Sequence, residues 1–306
     1  MTRRRRLEGL FAPVLTPFRD DLGPDAGRFA GHCRRLLDDG CNGLVLFGTT
    51  GEANSLAADE RVALLEAVVA AGIDPARLLV GTGLCALPET VRLTAHAAGL
   101  GCAGVLMLPP FFYKGMSDDG LYRAYAEVIE RVGDDRLRVY LYHIPKVSGV
   151  AVTFGLIERL VASYEAAVVG IKDSSGDWDN TRGLLEQFPE FTVFPGNEMD
   201  MLEALRRGAA GCITATANIN AAGLRRLYDN WRTANAEALQ DAATLVRRAA
   251  QTQPMIPGLK EVVARVSGDA GWLNVRPPFV GLGEAQAAAL FASLEEAGLI
   301  HFRAAA

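Results

Sequence analysis

The sequence predicts an α/β chain folded as a closed (β/α)8 barrel, with a small helical appendage after it. Three observations predict this. Short apolar, β-branched runs alternate with longer amphipathic segments, and eight such units fit in roughly 225 residues. After the eighth run the pattern turns wholly helical. An open doubly wound sheet is the competing architecture, but it usually carries a glycine-rich phosphate loop after its first strand, and Thr16-Pro17-Phe18-Arg19 is not one.

The strand candidates, in order, are residues 9–15, 44–47, 78–82, 104–108, 138–142, 167–171, 192–194 and 211–213. Each is a short apolar run of the kind a parallel strand buried on both faces shows. The helical segments between them are 25–39, 58–71, 89–98, 118–132, 154–162, 180–188 and 199–207. The helix from Ala58 has Ala57 at its expected N-cap, without the hydroxyl that Glu60 would pair with in a capping box. Residues 1–225 are assigned to the barrel and its active site, and 226–306 to the C-terminal helical region. That region is rich in Ala, Leu, Arg and Glu and broken at Pro254, Pro257, Pro277 and Pro278.

Composition narrows the function classes. Half of the 306 residues are hydrophobic and 22% are charged, as in an ordinary globular protein. A net charge of -5 argues against a nucleic-acid partner, which needs a basic surface. Arg3 to Arg6 are a local exception; no long apolar stretch follows them, so a solvated end is expected rather than a secretory signal. No apolar run reaches about 18 residues, which gives no membrane span. The five cysteines and four histidines show no metal-ligand spacing, and reduced thiols in a cytoplasmic protein are expected.

Active sites of (β/α)8 barrels collect at the C-terminal ends of the strands, so those ends form one set of candidates. The sixth strand leads through Val168-Val169-Gly170-Ile171 into Lys172-Asp173-Ser174-Ser175-Gly176-Asp177. At the rim of an apolar core desolvation favours a neutral amine, a nucleophile able to form a Schiff base with a carbonyl substrate. A lysine that merely snorkels to solvent is the structural alternative. Tyr142 ends the fifth strand, where a phenol beside an imine can donate and accept protons; the alternative is a packed core ring. His143 points to the opposite face and is expected to orient the loop. The second strand runs into Gly48-Thr49-Thr50-Gly51-Glu52, whose backbone N–H groups and two hydroxyls can cradle a carboxylate or a phosphate, or simply turn the chain. Glu198, after the seventh strand, can hydrogen-bond a polyol or cap the following helix. Small residues follow Ile213 at the end of the eighth. The aromatics of Phe111-Phe112-Tyr113 fit an interface better than a substrate wall.

Taken together, Gly48-Thr49-Thr50-Gly51-Glu52, Tyr142 with Pro145, Gly170-Ile171-Lys172-Asp173, Gly196, and Ile213 with Asn218 resemble the dihydrodipicolinate synthase / N-acetylneuraminate lyase family. The pieces fall in the family's order over nearly the whole chain. The resemblance implies class I chemistry: Lys172 forms an imine with pyruvate or a related 2-oxo acid, and Tyr142 is its proton donor and acceptor. Thr49 and Thr50 receive the carboxylate and help shuttle protons, Thr49 as a catalytic residue, with Gly48 beside them, and Ile213 touches the bound acid through its backbone. No cofactor or metal is implied, and homotetramers built as dimers of tight dimers are common in the family. This sequence departs from the synthases at Val147, where they carry an arginine, and at Phe112, where a tyrosine shared between subunits is expected, with Tyr113 next to it. It departs from the sialate lyases at Glu198 and Ala215. The resemblance therefore implies a Schiff-base lyase or aldolase acting on pyruvate or a 2-oxo-3-deoxy sugar acid. An authentic 4-hydroxy-tetrahydrodipicolinate synthase using Lys146, and a non-catalytic 2-oxo acid sensor, are the alternatives; read as extended chain, the segment after Pro145 would turn Lys146 away from Lys172, since adjacent residues point opposite ways.

Overall fold

The structure is a computed structural model that describes residues 7–299; the basic run at positions 3–6 and His301 lie outside the described residues. Eight strands form one sheet: β1 (Gly9–Pro13), β2 (Gly43–Leu46), β3 (Leu78–Gly81), β4 (Gly104–Met107), β5 (Val139–His143), β6 (Val168–Asp173), β7 (Thr192–Pro195) and β8 (Gly211–Ile213). Their order is β7-β6-β5-β4-β3-β2-β1-β8. β7 also meets β8, with the Ala210 N–H donating to the Val193 carbonyl at 3.0 Å, which closes a (β/α)8 barrel. Apart from half-buried Val169 of β6, every strand residue is buried, as strands covered on both faces must be.

The helices are α1 (Ala26–Asp38), α2 (Ala58–Ala70), α3 (Leu87–Gly99), α4 (Asp118–Val132), the single turn α5 (Pro145–Ser148), α6 (Phe154–Tyr164), α7 (Trp178–Gln187), α8 (Met201–Arg206), α9 (Ala217–Asn230), α10 (Ala236–Ala250), α11 (Met255–Ser267) and α12 (Glu284–Glu296). Side chains set several of the starts. Asp25, Ser117, Thr153 and Asp177 cap α1, α4, α6 and α7 by accepting backbone N–H bonds, each replacing a partner the first turn lacks. At α2 half of a capping box survives: Ala57 brings no hydroxyl, but Glu60 accepts from the Ala57 N–H at 2.9 Å.

Two compact units make up the chain. The first is built on Asp74–Ile213 together with Gly9, and holds β3 to β8 and α3 to α8. Its strands run parallel, with Leu106 opposite Tyr140 and Tyr142 opposite Lys172. Gly170 makes room for a ring: a Cβ there would stand 2.6 Å from Tyr140 Cδ1 and 2.5 Å from the Thr192 carbonyl oxygen. The second unit is built on Leu10–Ile73 and the chain from Thr214 onward. Here β1 pairs with β2 in parallel, Phe11 opposite Gly43. Val246, Val262, Leu290, Phe291 and Leu294 form one apolar cluster of the C-terminal helices. Leu15, Leu259, Val263 and Trp272 form another, so α11 shares its core with the segment that leaves β1. Among the described residues no helix is long and apolar enough to cross a membrane.

Candidate active site

Strand β6 runs two residues past its expected end at Ile171, so Lys172 lies inside the strand, not after it. Register then fixes its neighbour, because a parallel pair holds opposite residues side by side. Lys172 faces Tyr142 of β5; the Nζ donates to the Tyr142 Oη at 3.5 Å and stands 4.6 Å from the ring centroid. That distance is at the long end for a hydrogen bond. Both residues are buried, 4% and 3% exposed, so the amine and the phenol meet away from bulk water.

The next residue on each strand faces the other way. Asp173 Oδ2 accepts from Thr181 Oγ1 at 2.6 Å and from Asn180 Nδ2 at 3.0 Å, and its Oδ1 accepts from the Ser175 N–H at 2.9 Å. One carboxylate thus ties the end of β6 to its turn and to α7. Its carbonyl accepts from the Gly196 N–H at 2.6 Å, fixing the end of β7 as well. His143 Nδ1 accepts from the Val152 N–H at 3.0 Å, so the imidazole orients the segment after β5, as expected for it. Burial pushes the His143 imidazole below its ordinary range, against the opposing charge of Asp173. Burial, and the nearby Asp173 carboxylate, raise the Asp200 carboxyl.

Ile213 is fully buried at the last position of β8. Glu198 is 1% exposed and opens the short turn Glu198–Asp200; the cap of that turn is Asn197, whose Oδ1 accepts from the Met199 N–H at 3.1 Å. Phe112 and Tyr113 are 71% and 68% exposed and stack edge to face at 5.3 Å. Lys114 pins their loop, its Nζ donating to the Ser148 carbonyl at 2.5 Å and to the Phe111 carbonyl.

One expectation needs correction. The alternation of an extended segment would turn Lys146 away from Lys172, but residues Pro145–Ser148 are the helical turn α5, where alternation does not apply. Lys146 Nζ lies against the loop after β6: a Cβ on Gly176 would be 3.1 Å from it. Val147 is 67% exposed.

In the second unit, Gly48 precedes the 3-10 turn Thr49–Gly51, and Thr49 and Thr50 are half-buried. The Gly48 carbonyl accepts from the N–H groups of Gly51 at 3.0 Å and Ala53 at 3.3 Å. Gly51 is packed too closely for a side chain, since a Cβ would stand 2.5 Å from the Val14 carbonyl oxygen, and Thr16 Oγ1 donates to the Gly51 carbonyl at 2.7 Å. Glu52 ends the turn in the left-handed region at φ 55°, uncommon for a residue with a side chain. Its carboxylate is paired with Lys260 at 2.5 Å, and both side chains are buried. No local pattern announces this pair, because Lys260 stands beside Glu261 in α11 like any charged residue of a helix face. Asn218, one of the matching residues, is a structural latch. Its Oδ1 accepts from the Leu15 N–H at 3.2 Å and contacts His32 Nε2 at 3.0 Å, and its Nδ2 donates to the Pro13 carbonyl at 2.9 Å. Among the described residues no group of three His, Cys, Asp or Glu side chains is placed to hold a metal ion.

Residues 6–297 match the Dihydrodipicolinate synthetase family. The chain belongs to that family. It is 34% identical over 289 residues to a DapA-like lyase of Chloroflexus aurantiacus, covering 94% of this chain and 96% of the relative. Among solved structures it resembles the dihydrodipicolinate synthase of Agrobacterium tumefaciens, with 31% identity, a TM-score of 0.87, and 94% and 98% of the two chains covered. It also resembles YagE, an E. coli prophage protein of the dihydrodipicolinic acid synthase family solved in complex with pyruvate, with 27% identity, a TM-score of 0.87 and coverage of 95% and 99%. As a member of the dihydrodipicolinate synthetase family the chain is a lyase, of a family that acts on small molecules and is often oligomeric.

Proposed function

We propose that the protein is a class I aldolase or lyase that binds pyruvate, or a 2-oxo-3-deoxy sugar acid, as an imine on Lys172. The observation that carries this reading is the buried Lys172–Tyr142 pair on neighbouring strands. The amine attacks the 2-oxo carbon, water leaves, and the protonated imine accepts the electron pair left on C3 when the C3–C4 bond breaks or a proton departs from C3, giving an enamine. Tyr142 moves the protons on and off the carbinolamine. Thr49 and Thr50 receive the carboxylate, with Gly48 leaving room for it, and Ile213 offers its backbone. Glu198 binds a hydroxyl of the longer substrate. All of these residues stand at or just past the C-terminal ends of β2, β5, β6, β7 and β8, the strand ends from which barrel enzymes draw their catalytic groups. The imine supplies its own electron sink, so this mechanism uses no cofactor. The pyruvate complex of YagE supports the choice of acid.

We place the enzyme in the lyase rather than the synthase branch, because Val147 offers no donor to the carboxylate of an aspartate semialdehyde acceptor. Synthase activity is the second reading, favoured by Lys146, whose amine lies beside the turn that follows Lys172. The kcat/KM for pyruvate plus aspartate semialdehyde, set against cleavage of 2-oxo-3-deoxy sugar acids, separates the two. Efficient condensation, at about 10⁴ M⁻¹s⁻¹ or more, overturns the branch assignment. We further propose a cytoplasmic homotetramer, in which exposed Phe112 and Tyr113 enter a subunit contact.

A further inference from the structure

The Gly48–Glu52 turn is shaped from far along the chain. Glu52 closes the turn, its N–H donating to the Thr49 carbonyl at 3.1 Å, and it does so in a left-handed conformation that costs energy for a residue with a Cβ. Something must hold it there. Its Oε1 lies 2.5 Å from Lys260 Nζ, and its Oε2 accepts from the Arg276 backbone N–H at 3.1 Å. Lys260 is 0% exposed and is itself fixed, donating to the Asn274 carbonyl at 2.8 Å and standing 4.5 Å from the Phe18 ring centroid. The Arg276 guanidinium stands 4.7 Å from the same ring, donates to the Ser55 carbonyl at 2.6 Å, and pairs with Glu60 at 2.5 Å. So Glu52, Ser55 and Glu60, spanning the chain from the turn into α2, are all gripped by Lys260 and Arg276.

A buried ion pair is poor support for stability alone. Well-packed apolar replacements of such pairs are often neutral or better, because two charges must be taken out of water. What the pair supplies here is a direction: it draws a side chain inward and thereby sets the backbone of the residue that ends the threonine turn. We propose that Lys260 and Arg276 are positioning residues for catalysis, acting through Glu52 to hold Thr49 and Thr50 in the geometry that receives the substrate carboxylate. The proposal rests on the assignment of the carboxylate to those threonines.

The test is the double variant Glu52→Gln with Lys260→Met. It removes both charges together, so no buried ion is left unpaired, and Gln keeps an acceptor for the Arg276 N–H. Two quantities are read on the full-length protein. The first is amide hydrogen exchange of the segment 48–56, with β5 and β6 as internal controls. The second is the pyruvate concentration that half-saturates borohydride trapping. The expected result is exchange in 48–56 faster by roughly tenfold with the controls unchanged. Half-saturation rises by roughly tenfold or more, the size of a lost charge-assisted hydrogen bond, while the trapping rate at saturating pyruvate stays within about threefold. Unchanged exchange in a folded variant overturns the positioning role. Faster exchange with unchanged half-saturation leaves the turn under the control of Lys260 but removes the threonines from carboxylate binding, and with them this proposal. Should the double variant fail to fold, Arg276→Ala at the partly exposed end reads the same claim. A rise of roughly threefold in half-saturation is expected there, and no change in either quantity would overturn it.

Discussion

Lys172 and Tyr142 owe their meeting to strand register, whereas Glu52, which closes the Gly48–Glu52 turn, is held by the Lys260 ammonium and the Arg276 backbone N–H. The first arrangement is regular. Two parallel strands, each buried on both faces, place residue opposite residue, and a small Gly170 lets Tyr140 pack beneath them. The second is irregular. A 3-10 turn ending in a left-handed glutamate has no periodicity to define it and is fixed by contacts as much as 224 residues apart. Chemistry that needs a nucleophile and a proton carrier at a set separation can rely on strand register alone. A residue in the left-handed region, such as Glu52, persists only where its surroundings hold it there.

The largest effect expected on the strand side follows from removing the amine. Lys172→Ala should reduce turnover of any 2-oxo acid to the background rate, with the far-ultraviolet circular dichroism of the parent retained. Residual turnover above about 1% of the parent would mean that register brought the pair together for packing only. Tyr142→Phe is the next step down. It keeps the ring against Lys172 Nζ and removes only the hydroxyl, so kcat should fall by roughly 10²–10⁴. A loss below about threefold would show that the hydroxyl carries no proton.

Substrate choice tests the loop that follows β5. Val147 is exposed on the helical turn Pro145–Ser148. Val147→Arg should raise kcat/KM for aspartate semialdehyde condensation by roughly ten- to a hundredfold, the worth of a charge-assisted hydrogen bond to its carboxylate. Steady-state kinetics with that acceptor decides it, and no gain would show that the turn does not face the acceptor.

The strand pattern was legible because burial on two faces leaves uninterrupted apolar runs. All eight strands fall within two residues of their expected ends, the largest differences being the early stop of β1 at Pro13 and the late end of β6 at Asp173. Helix α7 begins at Trp178, two residues before its expected start at 180, with Asp177 as its cap. Two things were not legible. Pro145 to Val147 read as extended chain, and only the structure shows the helical turn that removes alternation from the argument about Lys146. Lys260 and Glu52 lie far apart in sequence, and nothing in either neighbourhood implies that one carboxylate and one amine are buried together.

A smaller effect concerns the frame of the second unit. His32 is fully buried between Asn218 and Arg35, and burial, reinforced by the Arg35 charge, lowers its imidazole to about 3, against the opposing hydrogen bond with Asn218. Because the folded value lies below the unfolded value of about 6.5, the unfolded chain takes up a proton that the folded chain refuses. Stability should therefore be full above about pH 6.5 and fall as the pH drops towards 3, by at most about 1.4 kcal/mol per pH unit from this group. Chemical denaturation of the parent and of His32→Gln between pH 7 and 4 checks it: the variant should lose less stability over that range. Equal pH dependence in the two would place the acid sensitivity elsewhere.

Borohydride trapping decides most directly whether the strand pair is a reaction centre. The protein is incubated with pyruvate, reduced, digested and mapped by mass spectrometry. A single adduct on Lys172, absent from Lys172→Ala and slow to form in Tyr142→Phe, is the expected result. An adduct on another lysine, or none with any 2-oxo acid, would contradict the imine mechanism.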